Sequence, residues 1–243
     1  MRSARTSSVP SPCLETFLDN DDNSIRLAKR VAEMRPCSRR EAELYIEGGF
    51  VSVDGVITEE PGARVTPEQQ ITVADDATLL EIVPVTMLLH KPAGDGQPQH
   101  LLKAETQTRS VPGKRFLKRH VANLTQVLPL DAKASGLTVF TQDFRVARKF
   151  SDDTVEQEII VEVTGDIIEN GLQQLNQING KVSWQNENRL RFAIKGLKLG
   201  LIDKLCKEVG LTVVSMKRIR IGRIAMASLP AGEWRYLQDY ERF

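Results

Sequence analysis

One carboxylate stands out by its surroundings. Asp131 follows the strand-like run Leu124 to Leu130 and precedes a short loop, Ala132-Lys133-Ala134-Ser135, that Gly136 closes before a second apolar run begins at Leu137. A carboxylate at the mouth of two buried strands is costly to desolvate unless something binds it. That makes Asp131 the candidate for chemistry. The plainer alternative is that its side chain only caps a turn. Neither Cys13, Cys37 and Cys206 nor His90, His100 and His120 stand at metal-ligand spacing. No metal is expected. Few cysteines, odd in number and without a CxxC pair, fit a reducing cytoplasm better than a disulfide framework.

A second set of residues is positive. Arg26, Lys29, Arg30, Arg35, Arg39 and Arg40 put six cations into fifteen positions, around the single anion Glu33, in a chain whose formal net charge is only +1. Cations gathered at helix starts suit a phosphate backbone, since a helix N-terminus already attracts anions. The alternative is an ordinary solvated face.

The elements that must carry these groups can be read in order. Met1 to Ser24, rich in Ser, Pro and Asp with no apolar core, is expected to be a disordered tail and not a secretory signal. Leu27, Ala28, Val31 and Ala32 share a helical face that Pro36 ends. Ser38-Arg39-Arg40-Glu41 is a capping box opening a second helix, which stops at Gly48-Gly49. Asp54-Gly55 is a two-residue hairpin turn between short strands. Residues 74–85 read as a linker. Beyond it come a strand at Val85–Leu89, a basic cluster at Lys114–His120, and a helix capped by Asp143. A strand at Glu158–Val163 and a helix at Ile167–Leu175 follow. Next are a strand at Leu190–Ile194, a helix at Leu201–Val209, and strands at Leu211–Met216, Arg218–Met226 and Trp234–Leu237. The basic cluster is either an RNA contact or a solvated helix. Mixed elements without a βαβ repeat predict an α+β fold with a largely antiparallel sheet. No apolar run approaches membrane-spanning length.

Two stretches resemble known families. Cys37-Ser38-Arg39-Arg40-Glu41-Ala42, Tyr45-Ile46-Glu47-Gly48-Gly49 and Val51-Ser52-Val53-Asp54-Gly55 resemble the S4 RNA-binding domain, which implies an RNA-binding unit over residues 25–73. On that resemblance Arg26, Lys29, Arg39 and Arg40 meet RNA phosphate. The rest, residues 86–243, is similar to bacterial ribosomal RNA pseudouridine synthases of the RsuA/RluF type. The carriers are Leu89-His90-Lys91-Pro92-Ala93-Gly94, Leu130-Asp131 with Ser135-Gly136-Leu137, Glu156 to Val161, Met216 to Ile221, and Leu229 to Arg235.

The resemblance implies an isomerase without a cofactor, acting on structured RNA, ribosomal first and transfer RNA second, as a cytoplasmic monomer. Asp131 would attack the flipped nucleoside or stabilise a broken glycosidic bond, Arg218 would pair with Asp131, and Lys91, Lys133 or Arg218 would supply positive charge near the flipped base. The chain departs from the pattern in three places. Pro129 stands where the family has arginine, and Ile159 where it has a pocket tyrosine. Asp203 and Lys204 replace two arginines. Two readings therefore follow: a working pseudouridine synthase, or an RNA-binding or ribosome-assembly protein whose catalytic domain has eroded.

Overall fold

The computed structural model describes residues 23–79, 83–108 and 114–243. Nearly all of the expected tail, and residues 80–82 of the expected linker, lie outside the described residues. The front unit contains β1 (Ile25–Arg26), α1 (Leu27–Met34), α2 (Arg39–Glu47), β2 (Val51–Val53), β3 (Val56–Ile57), β4 (Arg64–Val65) and β5 (Ile71–Val73). Local chemistry accounts for most of it. Ser38 Oγ accepts the Glu41 amide at 3.2 Å, and the Glu41 carboxylate accepts the Ser38 amide at 2.7 Å, so the capping box closes. Asp54 and Gly55 both have positive φ, 52° and 79°, as a tight hairpin between β2 and β3 requires. Leu27, Val31, Ala42, Ile46, Val51, Val65 and Ile71 form this unit's own core.

The larger unit is built on one sheet. Its strands are β6 (Thr86–Lys91), β7 (Thr125–Val127), β8 (Ser135–Thr141), β9 (Gln157–Thr164), β10 (Gly180–Asn186), β11 (Arg189–Ile194), β12 (Thr212–Ile221), β13 (Ile224–Ala225) and β14 (Trp234–Tyr236). The helices are α3 (Phe144–Ser151), α4 (Gly171–Leu175) and α5 (Leu201–Glu208). The order across the sheet is β10-β11-β9-β12-β8-β6-β14, with β7 beside β8 and β13 beside β12. Every pairing is antiparallel except β12 with β8. The fold is α+β, as expected. Helices α4 and α5 cover the cluster around Ile159, Val161, Leu190 and Phe192, while Phe150 of α3 packs with Leu137, Val139 and Ile221.

Several expected elements change. The strand before Asp131 is only Thr125–Val127, because Leu128 turns to a φ of 49° and its carbonyl takes a side-chain donor. The helix expected from Ile167 begins at Gly171, since Asn170 sits in the left-handed region at φ 59°. The two strands expected on either side of Lys217 are one ten-residue strand, β12, bent by two register shifts. Strand β10 has no counterpart in the sequence reading.

The basic cluster at Lys114–His120 is not an α-helix: Lys118–Val121 is a short 3-10 turn, and Lys114, Arg115 and Lys118 are exposed. Arg115 donates to the Gly49 carbonyl at 3.2 Å, and the Lys118 amide donates to Glu59 at 2.6 Å. His120 is buried against the Tyr236 hydroxyl at 2.6 Å. The segment joins the two units.

Candidate active site

The sheet divides where Asp131 is delivered. Strand β12 pairs with β8 through only Lys217↔Ser135 and Arg218↔Gly136, and further along the same edge β7 takes over at Val127↔Val139. At the junction, Gly136 has φ 112°, and a Cβ there would lie 2.3 Å from the Arg218 carbonyl oxygen. Only glycine lets the two backbones approach this closely.

The opening between β7 and β12 holds the Arg218 side chain, which is 0 % exposed. Its guanidinium donates to the Leu137 carbonyl, the Leu128 carbonyl and Gln157 Oε1, each at 2.7 Å. Burial pulls this guanidinium down to about 9, so it is still charged at neutral pH. Arg218 was expected to pair with Asp131. No such pair forms among the described residues, because its donors are taken by groups that complete the sheet.

Lys91 also occupies a different place from the one expected. It is 1 % exposed, and its ammonium donates to the carbonyls of Pro92 at 3.1 Å, Ala132 at 2.9 Å and Ala134 at 2.6 Å. A sealed ammonium with three carbonyl acceptors has no donor left for RNA phosphate. It instead fixes the loop that carries Asp131. Burial lowers its affinity for the proton; nearby Asp95 opposes this, Arg218 adds to it, and Asp131 opposes it again. The loop is stitched from the other side as well, by the Gly94 amide to the Ala132 carbonyl at 2.8 Å. Ala134, and in part Leu130, anchor it in the core beside Ile159.

The Asp131 side chain emerges from this loop half-buried. Its two carboxylate oxygens lie 3.1 and 3.2 Å from one donor, the amide of Gly200 at the start of α5. Pro129 is exposed, and Lys133 is exposed. Ile159, aligned with the family's pocket tyrosine, is 1 % exposed and belongs to the core. His90 is buried, and its Nδ1–H donates to the Leu229 carbonyl at 2.7 Å. Burial, partly offset by that bond, lowers its pKa. Among the described residues no three His, Cys, Asp or Glu side chains converge as a metal site requires. Among them too, no helix is long and apolar enough to cross a membrane.

A second site lies in the front unit. Arg26, Lys29, Arg39 and Arg64, with Ser24 and Ile25, line a groove of about 360 Å³. Three of the four cations expected to meet phosphate converge there; Arg40 is exposed but off the groove. Arg64 was missed. It reaches the groove through the pairing Arg26↔Arg64 between β1 and β4, across residues that share no local pattern.

Comparison with known proteins adds four findings. Residues 25–71 match the S4 domain. The dual-specificity RNA pseudouridine synthase RluF of Escherichia coli (strain K12) is 28% identical over 243 residues, covering 90% of this chain and 78% of the relative. An uncharacterized RNA pseudouridine synthase of Aquifex aeolicus (strain VF5) is 25% identical over 230 residues, with 89% and 94% covered. A crystal structure of pseudouridylate synthase superposes with a TM-score of 0.53 at 19% identity, covering 88% of this chain and 96% of that one, which shows the same fold.

Proposed function

We propose that this chain, a homologue of the RluF-type RNA pseudouridine synthases with an S4 domain at residues 25–71, isomerises a uridine of structured RNA to pseudouridine. Ribosomal RNA is the first candidate substrate and transfer RNA the second. The observation that carries the reading is the setting of Asp131. A lone carboxylate is fixed through its loop by Lys91 and through its oxygens by Gly200, yet stays half-open to solvent.

The division of labour follows. Arg26, Lys29, Arg39 and Arg64 hold the phosphate backbone of the RNA. The target nucleotide leaves its stack and meets Asp131. A carboxylate oxygen attacks, the bond from the ribose to N1 breaks, and the base turns. A new bond forms from the ribose to C5 as the bond from the ribose to the carboxylate breaks, C5 gives up its proton, and N1 gains one. The product has the atoms of the substrate, so no oxidant, reductant or group donor enters. Arg218 and Lys91 keep the loop and the sheet in register behind the carboxylate. One chain supplies the groove, the carboxylate and its donor, so a monomer suffices; we assign it to the cytoplasm.

The test uses ribosomal RNA, and separately transfer RNA, carrying 5-tritiated uridine. Wild type should release tritium as C5 loses its hydrogen, and Asp131→Ala should slow release at least roughly a thousandfold while binding RNA equally well. If neither protein releases tritium from either RNA and both bind it, the binding-only reading takes its place.

A further inference from the structure

We infer that the main-chain N–H of Gly200 is a positioning group for Asp131, holding both carboxylate oxygens so that their outer lone pairs face the incoming nucleoside. The inference rests on the pseudouridine reading of Asp131 and adds a donor 69 residues further along the chain.

The geometry is nearly symmetric. Gly200 N lies 3.1 Å from one Asp131 oxygen and 3.2 Å from the other. A single shared N–H fixes the direction of the carboxylate but uses only one lone pair on each oxygen. Both oxygens keep a free face, which a nucleophile needs. A salt bridge to a forked guanidinium would engage both oxygens more fully. Among the described residues Asp131 has no cation within ion-pairing distance, and Arg218 and Lys91 are both committed to carbonyls.

The donor is itself well fixed. Gly200 precedes α5, whose first turn carries the positive end of the helix dipole. A helix start is ordinarily capped by its own N-cap side chain. Gly200 has none, so the cap arrives from the Asp131 loop. The φ of 75° aims the amide there, and a Cβ at Gly200 would meet nothing within 4 Å. The constraint at this position is therefore backbone direction and not space. Leu201 and Leu205, and more deeply Ile202, pack α5 on the same core that holds Ala134 of the Asp131 loop. Donor and acceptor thus ride on one rigid body, the condition for positioning to matter in a reaction.

The experiment replaces Gly200 of the full chain with glycolic acid by nonsense suppression. The peptide bond becomes an ester, the N–H is lost and the side chain is unchanged. The control places the same ester at Leu199, whose amide makes no hydrogen bond among the described residues. With 5-tritiated ribosomal RNA, the Gly200 ester should lower the single-turnover rate constant roughly tenfold or more, as expected for loss of a charge-assisted bond. RNA affinity and circular dichroism should not change, and the Leu199 ester should react like wild type. An unchanged rate for the Gly200 ester overturns the inference and leaves the function standing. Equal losses in the two esters also overturn it, by showing a general weakening of the α5 start. No release by wild type removes the pseudouridine reading, and the role of Gly200 with it.

Discussion

The cations of the two units live in opposite conditions. In the front unit Arg26, Lys29, Arg39 and Arg64 line an open groove; Lys29 meets Glu33 at 4.0 Å and Arg39 meets Glu43 at 3.7 Å, both long and solvated pairs. In the large unit Lys91 and Arg218 are sealed, and each donates to three acceptors at 3.1 Å or less. Exposed pairs of this kind are worth little to stability, so Lys29 and Arg39 can exchange these carboxylates for a ligand. A sealed cation must satisfy all its donors inside the protein, and one left short is expensive. Residue type is the same in both places; burial decides whether it lines an open groove or closes a sheet.

The contrast breaks most easily at Arg218. Arg218→Met should strand the carbonyls of Leu128 and Leu137 and the Gln157 amide oxygen in the interior, and cost roughly 3 kcal/mol or more in urea unfolding. Arg218→Lys should recover part of that loss. Full stability with weakened RNA binding would make Arg218 a phosphate contact and erase the distinction.

The front unit should respond the other way. Arg26→Glu and Arg39→Glu should each weaken RNA binding roughly tenfold at moderate salt and flatten the salt dependence by about one contact, with unfolding shifted by no more than about 0.5 kcal/mol. Arg40→Glu, off the groove, should do less. Equal losses at all three positions would mean that overall charge, and not the groove, sets affinity.

The smallest effect concerns the joint between the units. Burial, with Arg119 and then Lys114 adding repulsion, pushes His120 down to about 4 from its ordinary 6.5. The folded chain then holds fewer protons than the unfolded one between those values. Stability from this group is complete above about pH 6.5 and declines as pH falls through the window, levelling off near 4. Urea midpoints measured from pH 7 to pH 4.5 should fall more steeply in wild type than in His120→Gln. Parallel slopes would place the acid sensitivity in other groups.

The sequence was most legible where the physics is local. The Ser38 box, the Asp54-Gly55 turn and the Asp143 cap join residues two or three apart, and all three formed as expected. Legibility failed where partners are distant. Nothing near Leu128 announces a guanidinium from 90 residues away, and that bond is what shortens β7. Arg64 joins the groove only because β4 pairs with β1. Ile159 was read as a pocket wall by alignment, whereas its place on β9 between Phe192 and Arg218 puts it in the core.

By itself, then, the order of residues determined the helix caps, the turns, the cationic bias of the front unit and the presence of a lone carboxylate at position 131. Those depend on neighbours within one turn of chain, where few conformations compete. Tertiary structure alone decided which cations stay in water and which are walled in, and which backbone amide faces Asp131. Such outcomes require segments 40 to 90 residues apart to pack together, and burial belongs to that packing and not to any residue alone.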